Sequence, residues 1–285
     1  MQFIDLQTQY QRLKERIDKR IQTVLDHGKY IMGPEVQELE EALSEYVDVK
    51  HTITVANGTD ALQLALLALN IGEGDAVFVP TFTFFASAEA VSFVNATPIF
   101  VDSNEATFNI CEDHLVSKIE KTITEGKLKP KAIMAVDLFG LPANYPVIQK
   151  IADKYGLKLI EDAAQGFGGS INDQKAGSFG HIATTSFFPA KPLGCYGDGG
   201  AIFTNDDSLA ELIRSLRIHG KGVDKYDNVR IGMNSRLDTI QAAVLLEKLS
   251  AFPDELVARR RLARSYSDAI QTMNSIVTPT EPEGY

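Results

Sequence analysis

From residue 51 onward the chain alternates between short, continuous apolar runs and longer stretches of helical spacing, and this alternation narrows the possible folds more than any other feature. The runs are HTITVA (51–56), AVFVP (76–80), TPIFVD (97–102), KAIMAV (131–136) and LKLIED, which closes on Asp162. Helical spacing fills 59–69, 86–95 and 145–155. The runs are apolar throughout, not at every second position, as expected of strands covered on both faces. Strands that alternate with helices need crossover connections, which make a parallel sheet. IATTSFF (182–188) and AIFTN (201–205) add two strands, and helices are expected over 207–218, 236–251 and 254–271. An amphipathic helix opens the chain, and Gly33-Pro34-Glu35 starts a second, with Pro in the first turn and an acid favoured by the helix dipole. The expectation is an α/β fold with a mostly parallel central sheet flanked by helices.

Composition sets outer bounds. With 285 residues, 44% hydrophobic and 23% charged, the chain can build one large core and a smaller appendage. The net charge of −10 argues against gripping nucleic acid, which needs Lys and Arg to neutralise phosphates. Cys111 and Cys195 cannot form a disulfide framework, and neither has metal-ligand spacing around it. No apolar stretch of signal length opens the chain, and its most apolar region, 76–101, is broken by Pro80, Glu89, Asn95 and Pro98. A cytoplasmic protein with reduced thiols, no metal, and neither nucleic-acid nor membrane partner is expected. The run Arg259-Arg260-Arg261 reads as a solvated helix face.

Ligands of open α/β sheets bind at the carboxyl ends of strands, and three signals lie at such ends. Asn57-Gly58-Thr59-Asp60 joins a strand to a helix whose first N–H groups can hold an anion, though the same residues are good helix-capping chemistry. Asp162 ends a buried strand, where an acid is either a satisfied structural group or the partner of a buried cation. Glu161 points to the opposite face and reads as structural, while Gln165 either meets a ligand or caps the strand exit. The densest signal is SFFPAKPLGCYGDGG (186–200), in which one lysine leaves an apolar strand and four glycines follow. Burial lowers an ammonium's pKa and makes Lys191 a competent amine, and the glycines suggest close approach to a ligand; a glycine-rich hairpin with an exposed lysine fits equally. Gly166-Phe167-Gly168-Gly169 lacks dinucleotide-binding spacing, no Walker loop, nucleophile elbow or zinc pattern is present, and His181 and His219 are low-ranking bases.

At this point the sequence resembles the DegT/DnrJ/EryC1/StrS family of nucleotide-sugar aminotransferases. The likeness rests on YIMGPEVQELE, ANGTDAL, IEDAAQGFG, SFFPAKPLGCYGDGGAIFTND and GMNSRLDTIQAA, in this order along nearly the whole chain. The resemblance implies a type I aspartate aminotransferase fold and pyridoxal 5'-phosphate (PLP) as cofactor. Lys191 would hold it as a Schiff base and shuttle the proton. Asp162 would meet the pyridine nitrogen, Gly58, Thr59 and Ser186 the phosphate, Gln165 the ring oxygen, and Phe84 the ring face. Asn234 of a neighbouring subunit would complete the phosphate cup, so a homodimer with shared sites is implied. Arg236 would grip an anionic part of the substrate.

The family also contains dehydratases with His in place of the lysine, so Lys191 favours amino transfer. The wording around Lys191 is most similar to members that use glutamate to aminate C3 of a UDP-linked 3-keto-2-acetamido hexuronic acid, for surface polysaccharides such as lipopolysaccharide. C4 amination of 4-keto-6-deoxy sugars is the alternative, and a PLP-binding regulator without turnover a rival of another class. The resemblance divides the chain into a large PLP-binding domain over 1–250 and the start of a small C-terminal domain over 251–285. Because family members continue past this point, most of that domain is expected to be missing.

Overall fold

A computed structural model describes residues 4–224, 226–270, 273 and 275–285. In chain order the elements are α1 (Leu6–His27), α2 (Pro34–Val47), β1 (His51–Val55), α3 (Gly58–Ala68), β2 (Asp75–Pro80), α4 (Ala86–Phe93), β3 (Thr97–Val101), α5 (Glu112–Glu125), β4 (Lys129–Val136), α6 (Tyr145–Tyr155) and β5 (Lys158–Asp162). A small hairpin, β6 (Ser170–Ile171) and β7 (Gln174–Lys175), precedes β8 (Ile182–Ser186), β9 (Gly200–Thr204), α7 (Asp207–Leu216) and α8 (Thr239–Ile270).

Seven strands form one sheet in the order β1-β9-β8-β5-β4-β2-β3. The pairs β2–β3, β2–β4, β4–β5 and β5–β8 are parallel, and β9 runs antiparallel to both β8 and β1. Six strands therefore point the same way, and their carboxyl ends deliver Asn57, Thr81, Asp102, Asp137, Ala163 and Phe187 to one edge. This is the α/β architecture expected, with β9 the exception to the parallel rule.

Alternation along each strand feeds two separate cores. Val77, Val79, Ala132, Met134 and Ile160 pack with α3, α4 and α7, while Phe78, Ile133, Ala135 and Leu159 pack with α5 and α6. A third cluster gathers α2 and α8 around Phe167, Phe187, Phe203 and Phe252. Burying one such side chain stabilises by roughly 1.5–3 kcal/mol, so the two-sided cover outweighs strand propensity in fixing the sheet. The helix starts follow their capping chemistry: Asn57 accepts from Asp60 N–H, Asp206 from Ser208 and Leu209 N–H, and Pro34 occupies the first turn of α2.

Two expectations are corrected and one element is added. The helices expected over 236–251 and 254–271 are one, α8, which passes through Pro253. Proline removes one hydrogen bond there, but Phe252 is buried and Leu249 and Leu256 pack on the same cluster, so side-chain contacts hold both halves in line. The strand expected to reach 188 ends at Ser186, because Phe187 turns into the core and Lys191 N–H closes a turn on the Phe188 carbonyl. Helix α5 adds to the expected elements: its apolar stripe is narrow, carried mainly by Leu115 and Ile119. Residue 271 of the expected last helix lies outside the described residues. Among the described residues no helix is long and apolar enough to cross a membrane, and no cluster of His, Cys, Asp or Glu could hold a metal ion.

Candidate active site

The strand ends frame a cavity of about 710 Å³ whose lining includes Gly58, Thr59, Phe84, Asp162, Gln165, Ser186 and Lys191. Seven of the nine site residues expected from the sequence thus meet in one place. They come from four strand exits and the Lys191 loop.

The turn after β1 builds one wall. Asn57 Oδ1 accepts the Asp60 N–H at 2.8 Å, which caps α3. Gly58 and Thr59, in the first turn, have no intrahelical acceptor for their own N–H groups and can present them to an anion. The capping and anion-binding readings are therefore both met by one turn. A Cβ at Gly58 would lie 2.6 Å from Ser186 Cβ, so glycine is what lets the Ser186 hydroxyl reach the same helix end. The glycines after Lys191 serve the protein itself: a Cβ at Gly194 would meet the Pro189 carbonyl at 2.5 Å, and one at Gly200 the Asn57 backbone at 2.7 Å. Gly197 and Gly199 in turn lie against the side chains of Gln241 and Leu237.

Asp162 forms the floor. It is 5% exposed, its Oδ2 accepts from Ser87 Oγ at 3.0 Å, and its Oδ1 accepts from Ala164 N–H at 3.2 Å. Burial pushes its carboxyl above the usual range, opposed by those two hydrogen bonds and by Lys191. A carboxyl so placed can pair with a cation that enters the cavity. Glu161, on the opposite face, accepts Gly177 N–H at 2.7 Å and Phe179 N–H at 2.8 Å and is structural, as strand alternation implies. Gln165 Oε1 accepts Phe139 N–H at 3.1 Å, so its side chain ties a loop to the cavity wall.

Lys191 is half-buried in the cavity and makes no side-chain hydrogen bond or ion pair among the described residues. Burial lowers its pKa, and Asp162 opposes that. An amine without a committed partner, in reduced dielectric, is available for nucleophilic and proton-transfer work. Phe84 stands at the mouth, 67% exposed, with Phe139 and Phe188 beside it in the lining. An aromatic ligand bearing a phosphate and a carbonyl fits the chemistry of this set: N–H and hydroxyl donors, a carboxylate, an amine and a ring to stack on.

Asn234 and Arg236 do not line the cavity of their own chain. Arg236 Nη2 donates to Asn234 Oδ1, and Asn234 is exposed. Between them Ser235 is fully buried, with its Oγ accepting Ala56 N–H and its own N–H bonded to the Arg217 carbonyl. Arg217 is in turn paired with Glu40 at 2.6 Å. The segment is thus pinned beside the Gly58 turn while its two polar side chains stay outside the cavity.

Arg259 of α8 does line the cavity, which the solvated-face reading of Arg259-Arg260-Arg261 missed. Helical register could have separated one of the three arginines from the others, but only with the helix known to run unbroken through Pro253.

The model of the DegT/DnrJ/EryC1/StrS aminotransferase family matches residues 11–284. The chain is 48% identical over 279 residues to the UDP-2-acetamido-2-deoxy-3-oxo-D-glucuronate aminotransferase of Pseudomonas aeruginosa, covering 98% of this chain and 75% of that protein. The crystal structure of a DegT DnrJ EryC1 StrS aminotransferase from Brucella abortus superimposes with a TM-score of 0.98 at 55% identity, over 100% of this chain and 76% of that one. The structure of NtdA from Bacillus subtilis with bound cofactor PMP matches with a TM-score of 0.86 at 34% identity, over 96% of this chain and 62% of that one.

Proposed function

Since the chain belongs to the DegT/DnrJ/EryC1/StrS aminotransferase family and is a PLP-dependent enzyme, we propose that it moves an amino group from glutamate to C3 of a UDP-linked 3-keto-2-acetamido hexuronic acid. The observation that carries the reading is the convergence of Lys191, Asp162 and the Gly58–Thr59 helix end on one cavity. The 48% identity to an aminotransferase named for such a uronate supports the choice of substrate.

When bound, PLP supplies an electrophilic carbonyl and a ring that accepts electron density. Gly58 and Thr59 N–H and the Ser186 hydroxyl would hold its phosphate, Asp162 its ring nitrogen, Gln165 its ring oxygen and Phe84 its ring face. Lys191 Nζ would take the proton from the amino donor's Cα and return one to the keto carbon of the acceptor; its lowered pKa would keep the free amine accessible for this.

Asn234 and Arg236 serve a neighbouring subunit in a homodimer. Their exclusion from their own cavity supports this, as do Val223 and Ile231 on the same segment, 98% and 94% exposed. Residues 1–250 form the large cofactor domain and 251–285 open a smaller one. The enzyme works in the cytoplasm, toward surface polysaccharide.

Glutamate added to the PLP-loaded protein should replace the visible absorption of the lysine-bound cofactor by that of the pyridoxamine form and release 2-oxoglutarate. A spectrum that never changes would remove the transferase reading in favour of a cofactor-binding regulator, and a product carrying its new amine at C4 would replace the C3 assignment.

Arg259 gives this reading a substrate contact within the same chain. A guanidinium bonded to a carboxylate or pyrophosphate contributes roughly 1.5–3 kcal/mol, so Arg259→Ala should raise KM for the nucleotide sugar about 10- to 100-fold. The half-reaction with glutamate should change far less. Equal losses in both half-reactions would place Arg259 outside sugar recognition.

A further inference from the structure

Three carboxyl groups gather at the ends of β4 and β5, with Asp162 on the cavity face and Asp137 and Glu161 on the face behind it. Asp137 follows β4 directly, Glu161 and Asp162 end β5, and Val136 pairs with Asp162 in the parallel register. Asp137 and Glu161 are 0% exposed. No ion pair among the described residues includes any of the three. Adjacent buried carboxylates without a cation cannot all stay ionised, because their repulsion is weakly screened and each has lost its hydration.

The hydrogen bonds show where a proton can sit. Both oxygens of Glu161 accept backbone N–H groups, and both oxygens of Asp162 accept, from Ser87 and Ala164. Asp137 Oδ1 accepts the Tyr145 hydroxyl at 2.7 Å and Ala143 N–H at 3.0 Å. Asp137 Oδ2 is buried and no donor reaches it. A Cβ on Gly166 would strike Asp137 Cβ at 2.3 Å and Oδ2 at 2.7 Å, so Gly166 closes that side without offering a partner. Because Ala135 pairs with Glu161 and Val136 with Asp162, alternation puts Asp137 on the same face as Glu161, whose carboxyl is the neighbouring group left for Oδ2. Two carboxyl oxygens bond only through a proton held by one of them.

We propose that Asp137 and Glu161 share one proton behind Asp162, and that Asp137 is thereby a positioning residue for amino transfer: the pair takes the proton that three crowded carboxyls require and leaves Asp162 as the charged member facing the cavity. The proposal rests on the reading that Asp162 faces the cofactor's ring nitrogen. Burial pushes Asp137 up to about 7, with the Tyr145 and Ala143 hydrogen bonds opposing, and burial followed by the charge of Asp137 pushes Glu161 well above its usual range. The titratable groups facing the pair are Tyr145 on α6, Asp162 on β5 and Tyr285 near the described C-terminal end; Lys191 faces Asp162 from the cavity side. Above about pH 7 Asp137 is ionised while Glu161, which burial and the charge of Asp137 push higher still, keeps the shared proton behind Asp162.

The linkage has a definite sign. An acid whose folded pKa lies above its unfolded value of 3.8 binds a proton on folding between the two, so stability falls as pH rises from 3.8 to about 7 and is level beyond. Asp137→Asn keeps an acceptor for Tyr145 and a donor toward Glu161, and should lessen that fall, to which the raised carboxyls of Glu161 and Asp162 also contribute. The decisive test is infrared titration of the PLP-loaded enzyme and of Asp137→Asn, with the cofactor's visible absorption followed alongside. A carboxylic C=O band should be present at pH 6, lose part of its intensity with a midpoint near pH 7 as Asp137 ionises, and keep the remainder above that pH on Glu161, while Asp137→Asn should lack the step; the visible spectrum should step at the same midpoint in the wild type alone. No band above pH 7, or a step that Asp137→Asn leaves in place, overturns the shared proton, and a visible spectrum indifferent to the step overturns the positioning role. Should Asp137→Asn fail to fold, Tyr145→Phe removes a bond that holds the pKa down and must move the midpoint upward; an unmoved midpoint has the same force. The infrared band does not involve the cofactor, so a wild-type protein that takes up no PLP refutes the reading of Asp162 and not the shared proton.

Discussion

Lys191→Ala should bind PLP through its phosphate and ring contacts yet lose amino transfer, with turnover down by about 10²–10⁴-fold, the usual worth of a positioned general base. The loss should be this large because no second amine lines the cavity among the described residues; Arg259 is the other cation there, and a guanidinium does not give up its proton at working pH. Lys248 cannot substitute. It is buried with its Nζ donating to the Gly194 carbonyl at 2.7 Å, and it does not line the cavity. The variant should also lose the visible absorption that depends on a lysine–cofactor bond while retaining bound cofactor measurable after denaturation. Exogenous small amines should restore part of the turnover, since they can occupy the space the side chain leaves. Retained absorption and turnover in Lys191→Ala would sink the assignment of the amine.

Lys191 is legible in the sequence because a lysine leaving an apolar strand is an anomaly that burial chemistry can explain. Asp162 and Glu161 are separable from the residue order alone, since alternation along a strand sends neighbours to opposite faces, and the hydrogen bonds of Glu161 bear that out. The glycines after Lys191 are equally visible, but composition does not say what approaches a glycine closely; Gly194 and Gly200 meet backbone of the same chain, and Gly197 and Gly199 meet its side chains. Arg259 stays hidden for a geometric reason. Three consecutive arginines cover most of a helical turn, and which one faces the cavity depends on the helix remaining in register through Pro253, which tertiary contacts decide. The role of Asp137 depends on sheet order. Nothing local to MAVDLFG shows that Asp137 ends beside Glu161 and Asp162; that follows from β4 and β5 being neighbours. Local chemistry is readable wherever one element carries it, and unreadable where two elements have to meet.

Asp162→Ala should weaken PLP binding about 10- to 100-fold, the loss expected when a charge-assisted hydrogen bond of roughly 1.5–3 kcal/mol is removed, and should lower turnover further because the ring nitrogen loses the carboxylate that keeps it protonated. Asp162→Asn separates the two effects. It keeps the side chain's shape and much of its bonding to Ser87 and Ala164, so it should bind PLP better than the alanine variant while sharing its loss of turnover. Without cofactor the stability effect should run the other way. Burial raises the Asp162 carboxyl above 3.8, so its ionised form costs folding energy, and that cost grows as pH rises from 3.8 toward the raised value. Removing the charge relieves it: Asp162→Asn without PLP should unfold at the same or a higher temperature than the wild type at pH 7, and PLP should stabilise the variant less than it stabilises the wild type. A residue serving only the fold would behave oppositely, losing stability in the variant and leaving turnover intact. Thermal melts with and without PLP, read beside turnover for the same two variants, decide between those patterns.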